Sequence, residues 1–183
     1  MLMTTIEKRS LIESVLYILN KTGGIDYYHL FKILYFADRA HLAKWGTRFV
    51  HDDFYALEFG PVPTELYDAV KGNPTHTEGF LNLFNQSVGF AGEDAPNVLI
   101  AKRKPDLDYL SQSGIEVLDQ SIDENAFLSF NKLKEKSHDD AWEEAFFTGT
   151  HIISPLSMAK AGSASEGILQ YIVEQQEIDK MLS

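Results

Sequence analysis

The stretch from Asp26 to Gly46 constrains this chain more than any other. It reads Asp-Tyr-Tyr-His-Leu-Phe-Lys-Ile-Leu-Tyr-Phe-Ala-Asp-Arg-Ala-His-Leu-Ala-Lys-Trp-Gly and predicts one long helix. Gly23 and Gly24 interrupt whatever precedes it. Asp26 is a good N-cap, a carboxylate aimed at free N–H groups, and Gly46 is a good stop. Between Tyr27 and Ala37 only His29 and Lys32 are strongly polar. A helix that is apolar around most of its circumference is covered on most sides. This one is therefore expected at the centre of the core. Asp38 breaks the pattern, because it shares a stripe with Tyr27, Phe31, Leu34 and Leu42 by three-and-four spacing. A carboxylate on such a stripe is costly unless it is paired or hydrogen-bonded.

A core helix of this kind needs a chain long enough to cover it. At 183 residues the expectation is a single domain over 1–183, with a good core and no need of staples. There is no cysteine, which removes disulfides and thiolate metal sites. No apolar run approaches the roughly 20 residues of a membrane span. The first ten residues lack the apolar core of a signal peptide, so the cytoplasm is the expected location. The net charge is −11, from 16 basic and 27 acidic residues. Nucleic-acid affinity rests on neutralising phosphates, so this balance argues against a nucleic-acid partner. The densest basic run, Lys102-Arg103-Lys104, is short. An acidic surface suits a basic protein partner by complementary potentials, or it simply keeps the chain soluble.

The fold class expected is mainly α with a small antiparallel sheet, an α+β domain of about seven or eight helices. Residues 8–20 carry an amphipathic face of Leu11, Ile12, Val15, Leu16 and Leu19. The turn at Thr22–Gly24 is expected to fold the central helix back on this one as a helical hairpin. Phe54–Phe59 is aromatic-rich and reads as a strand, with Tyr55, Leu57 and Phe59 on one face. Gly60-Pro-Val-Pro63 follows as a stiff extended turn, because residues before proline avoid the helical region. Residues 64–71 form a short helix closed by Gly72. Residues 73–97 read as a loop with a short element at 80–84. Val98–Ala101 reads as a strand that pairs with 54–59. Helices are then expected from Ser111 to about 122 and from about 124 to 136. A capping box at Ser137 and Asp140 opens a helix with Trp142, Ala145 and Phe146. Two more follow, from Ser154-Pro155 to about 161 and over 165–182, the last with Ile168, Ile172, Ile178 and Leu182 on one face.

Two of these pieces form a combination with a precedent. Lys32, Leu34, Tyr35 and Asp38 on the helix are followed by Gly60, Pro61, Val62, Leu66 and Tyr67. The chain resembles the Panacea domain, the SocA-like antitoxin domain also met in phage-associated proteins. The resemblance covers about residues 25–160 and extends weakly to His138 and Trp142, although Ala141 stands where the family tends to have proline. Residues 73–97 match nothing in it. The resemblance implies a mostly helical domain with a small sheet. It also implies a role without catalysis, as the antitoxin of a type II toxin–antitoxin pair that neutralises a protein toxin by direct binding. Proteolytic adaptor, hydrolase or metal-dependent enzyme are the alternative roles, and a homodimer is left open.

Each residue singled out has two readings. Asp38 is either a reactive or partner-binding group or an acceptor for buried N–H groups of the Gly60–Pro63 turn or for a tyrosine hydroxyl. Lys32, Tyr35, Arg39 and Tyr55 are the candidates for a partner surface, since tyrosine is enriched at interface hot spots. Their alternative is core packing or a solvated face. Gly60, Pro61 and Val62, with Trp142, are read as structural, the turn aiming the next helix. Metal and nucleophile readings are poor. His138-Asp139-Asp140 and His51-Asp52-Asp53 lack the spacing that puts two histidines on one helix face. Asp38 and His41 make two ligands where three or four must converge. No nucleophile elbow, phosphate-cradling loop or thiol is present. The expectation is that no cofactor or metal is used.

Overall fold

The computed structural model describes residues 2–182. Its centre is α2 (Tyr27–Trp45), capped by Asp26, whose side chain accepts from His29 N, and closed by Gly46 in the left-handed conformation. Eleven of its residues are buried, Asp38 and Lys32 among them. Before it run α1 (Thr5–Thr22) and the two-residue strand β1 (Ile25–Asp26). Thr4 and Glu7 form a reciprocal capping box that starts α1 three residues earlier than expected. After α2 come β2 (Phe54–Leu57), β3 (Gly60–Pro63), α3 (Thr64–Lys71), α4 (Phe80–Ser87), β4 (Val88–Phe90) and β5 (Val98–Ala101). The remainder is helical: α5 (Gln112–Asn125), α6 (Phe130–Ser137), α7 (Asp140–Thr148), α8 (Pro155–Ala161) and α9 (Glu166–Leu182). Among the described residues the fold is mainly α, with nine α-helices and two small antiparallel sheets.

The core is continuous. Leu30, Phe31, Ile33, Leu34 and Tyr35 of α2 share one buried cluster with Leu11, Ile12, Val15 and Leu16 of α1, Val117 and Leu118 of α5, and Met158 and Ala159 of α8. Ile168 and Ile172 of α9 join this cluster, while Ile178 is exposed. The side chain of Leu182 lies outside the described residues.

Several expectations are corrected. The first two helices do not form a close hairpin. Gly23 and Gly24 lead into β1, which pairs with β5, so α1 lies against β5 and α4 while α2 lies against α5 and α8. The 54–59 segment does not pair with 98–101. Both edges of β2 are taken, one by β3 and the other by residues 151–153 through Ala56 N to His151 O and Ile153 N to Phe54 O. β5 pairs instead with β1 and β4. Gly60–Pro63 is itself a strand, in register with β2 from Phe54–Pro63 to Leu57–Gly60. Residues 73–97 hold α4 and β4 where a loop with one short element was expected. The helix expected at 124–136 breaks at 126–129, where Ser129 caps a new start and the Leu128 carbonyl accepts from His29 Nε2 at 2.8 Å. Ser137 does not cap α7. Its hydroxyl donates back to Lys134 O, and Asp139 is the N-cap.

Candidate functional site

Three buried polar residues of α2 fix the ground on which any site stands. Asp38 has no exposed area. Its Oδ1 accepts from Phe49 N at 3.0 Å and Val50 N at 3.1 Å, and its Oδ2 accepts from Arg48 Nε at 2.9 Å. The expected bond to the Gly60–Pro63 segment is therefore corrected: Asp38 holds the chain just after α2. The hairpin is held by Lys32. Its Nζ donates to Pro61 O at 2.7 Å and lies 4.5 Å from the centre of the Tyr28 ring. Burial lowers the Lys32 ammonium to about 7. Tyr35 is also fully buried, and its hydroxyl lies 3.0 Å from both oxygens of Asp139. Burial and the Asp139 charge hold that hydroxyl well above its ordinary range, so it stays a donor.

Asp139 is a junction. It caps α7 through Trp142 N at 3.0 Å and accepts from Arg39 Nη1 at 2.6 Å as well as from Tyr35. Trp142 extends the link, since its Nε1 donates to Leu57 O at 2.9 Å. The His138 ring stacks on Trp142 with centroids 3.6 Å apart, and Phe146 stacks on the other side at 4.7 Å. Burial, Lys134 and Lys32 together depress His138. Gly60 sits where φ is +100°, and a Cβ there would lie 2.9 Å from Lys32 Cε. Only glycine meets both demands without displacement.

Of the four partner candidates, Lys32 and Tyr35 are thus corrected from surface to interior. Arg39 is half-buried in its ion pair with Asp139. Tyr55 is half-buried and lines a cleft of 530 Å³ with Val62, Tyr67 and Ile152, rimmed by Asp53 and Asp68. A second cleft of 440 Å³ shares Leu57, Val62 and Tyr67 with the first. Its other walls include Tyr27, Tyr28, Phe31, Phe59 and Phe130, with Lys32 at the floor and Lys71 beside Tyr27. Tyr28 donates to Phe59 O at 2.9 Å, and burial with the Asp26 charge pushes its hydroxyl up to about 12. The outward face of the β2–β3 hairpin thus divides a largely aromatic surface into an acidic and a basic half.

Two functional supports escaped the sequence reading. Asp52 is buried and caps α3 from twelve to fourteen residues upstream, accepting from Thr64 Oγ1, Glu65 N and Leu66 N, each at 3.0 Å. Pro63 occupies the N-cap position and has no side chain able to accept, so an outside acceptor was required. That requirement was the available signal. Burial raises Asp52 to about 6. Glu13 is the second, a buried carboxylate bound by both Nη atoms of Arg103 at 2.7 and 2.8 Å and by Asp106 N.

The metal candidates do not converge. His41 Nδ1 donates to Thr47 O at 2.6 Å and Nε2 reaches Ser113 Oγ at 3.0 Å, while Asp38 faces Arg48. His51 faces Glu7, whereas Asp52 caps α3. Among the described residues no group of three or more His, Asp or Glu is placed to hold a metal ion. None of their helices is long and apolar enough to cross a membrane.

A family model described as antitoxin SocA-like, Panacea domain, matches residues 30–143. That span runs from the end of the first turn of α2 to the end of the first turn of α7, and so contains Lys32, Asp38, the β2–β3 hairpin, Asp139 and Trp142. Comparison with curated proteins and with solved structures gives no match.

Proposed function

The chain belongs to the SocA-like antitoxin family of the Panacea domain, and from that premise we propose that it is the antitoxin of a type II toxin–antitoxin pair. It neutralises a cognate protein toxin by direct binding, in the cytoplasm, and does no chemistry of its own. The observation that carries this reading is the family match over the part of the chain that builds the α2–hairpin–α7 scaffold. A stable complex buries about 1,200–2,000 Å². The hairpin face with its two joined clefts, bordered by Tyr55, supports a contact of that kind. Lys32, Tyr35 and Arg39 serve it from beneath by fixing the hairpin and α7. The net charge of −11 favours encounter with a basic partner.

The test is co-expression with the product of the adjacent gene. The neighbour should arrest growth when expressed alone, lose that effect when this chain is present, and co-purify with it. A neighbour without toxicity, or one that never forms a complex, overturns the reading. Growth rescue that requires a cellular protease, with the toxin disappearing as it is rescued, would favour the adaptor role instead.

A further inference from the structure

The basic half of the hairpin surface runs against the net charge of the chain. The chain carries eleven more acidic than basic groups. Yet the 440 Å³ cleft is lined by Lys32 and Lys71, with Lys134 beside it over the Phe59 ring, and no carboxylate of the described residues pairs with any of the three. Lys32 Nζ has the Pro61 carbonyl and the Tyr28 ring. Lys71 Nζ donates to Tyr27 Oη at 2.8 Å and lies 4.2 Å from the centre of that ring. Lys134 Nζ lies 5.0 Å from the centre of the Phe59 ring. Among the described residues the one carboxylate lining the cleft, Asp26, is engaged by His29 at 2.6 Å and by the start of α2. Elsewhere Arg39, Arg48 and Arg103 are each bound to an acid.

Between these lysines the walls are aromatic and open. Phe59 is 49% exposed and Phe130 44% exposed. Phe130 stands 4.4 Å from Tyr28 and 5.9 Å from Phe59, centre to centre. Large apolar rings on a rim mark an interaction site, and the ammonium groups of Lys71 and Lys134 beside them, paired with no carboxylate, set the sign of what binds.

We propose that this cleft receives a segment of the partner polypeptide that presents an aromatic side chain flanked by carboxylates. The aromatic ring enters between Phe59, Phe130 and Tyr28, and the acids meet Lys71 and Lys134. The proposal rests on the protein-binding role given above and adds the partner's chemistry. The adjoining cleft has the opposite sign at Asp53 and Asp68. The acidic segment is therefore confined to the cleft that Lys71 lines. Long-range attraction of a basic partner by the whole chain and local reading of an acidic segment then act at different distances. The first sets the encounter rate and the second sets the register.

The test uses the full chain and three synthetic capped peptides, measured by titration calorimetry. One has a central Trp-Leu pair with two glutamates on each side. The second has lysines in place of the glutamates. The third keeps the glutamates and has Ala-Ala at the centre. Only the first should bind, with Lys71→Glu and Phe130→Ala each weakening it by at least about tenfold, the equivalent of 1.4 kcal/mol. Lys104→Glu, outside the cleft, should leave it unchanged. Circular dichroism at the titration temperature should show all three variants folded like the parent, so that a loss of binding reads the cleft and not the fold. Absence of binding by the first peptide, equal binding by the second, or indifference to Lys71→Glu overturns the proposal. A toxin complex that forms normally alongside those failures leaves the antitoxin reading standing. Peptide binding as expected without any toxin complex removes that reading and keeps the cleft.

Discussion

Replacing Asp38 by asparagine changes one oxygen of a buried carboxylate into an NH2 group. The structure allows the cost to be worked atom by atom. The new side chain can keep its oxygen on Phe49 N and Val50 N, which share Oδ1 in the native protein. The amide NH2 then faces Arg48 Nε, where two donors meet at the place of a 2.9 Å charge-assisted bond. A hydrogen bond to a charged group contributes about 1.5–3 kcal/mol. Arg48 is not stranded, because its Nη2 still donates to Asp52 O at 2.7 Å and Asp53 lies 3.7 Å away. The loss therefore falls short of the roughly 3–5 kcal/mol expected when a buried charge loses its only partner. We expect about 2–3 kcal/mol. In a chain of this length that lowers the melting temperature by about 5–10 °C. Urea unfolding followed by circular dichroism should show a lower midpoint with an unchanged slope. If the lost bond is the cause, Arg48→Met in the same chain should make the two changes less than additive. A midpoint unchanged by Asp38→Asn, or strict additivity with Arg48→Met, refutes the reasoning.

Three further outcomes follow from other groups. The ammonium of Lys32 is lowered to about 7 in the fold against 10.5 in the open chain. The unfolded state therefore binds the extra proton between those values, and stability should rise with pH across that window. The rise should be on the order of 3 kcal/mol from about pH 7 to about 9.5 and should vanish in Lys32→Met, as read by urea midpoints at each pH. Gly60→Ala introduces a Cβ at positive φ and against Lys32, and should cost about 2–4 kcal/mol by thermal melt; a cost under about 0.5 kcal/mol would show that the hairpin shifts freely. Trp142→Phe leaves the Leu57 carbonyl without its donor and should cost about 1–3 kcal/mol, with faster amide exchange at β2 as the local signature.

What was legible in the sequence was whatever was decided nearby in the chain. Asp26 and Gly46 bound α2 because caps act within a turn, and the same holds for Ser111 on α5 and Ser154 on α8. The burial of α2 followed from its apolar circumference. That argument, carried one step further, would also have placed Lys32 inside, since a helix covered on most sides covers its polar residues too. The direction of Asp38 was misread because the Gly-Pro-Val-Pro segment is conspicuous, whereas Arg48 and the bare N–H groups of Phe49 and Val50 are not. The link from Tyr35 and Arg39 to Asp139 spans about a hundred residues, and no local pattern announces a pairing at that separation. The clefts are likewise products of packing. Their walls come from α2, β2, β3, α3 and the start of α6, elements whose mutual placement periodicity does not specify.

β3 carries prolines at 61 and 63, and Val62 is in register with Tyr55 of β2. Proline has no N–H to give, and the Pro61 carbonyl is already taken by Lys32. The hairpin's free margin is therefore sealed against a further strand. Copies of the chain gain no template there for stacking edge to edge, a common route to aggregation. Recognition on this side also cannot proceed by extending the sheet with a foreign backbone, which would accept almost any sequence. It must be read through side chains standing on a margin that stays the same. Under the proposed partner-binding role, a change of partner would be made in a few exposed residues, while the buried lysine, glycine and prolines beneath them stay untouched.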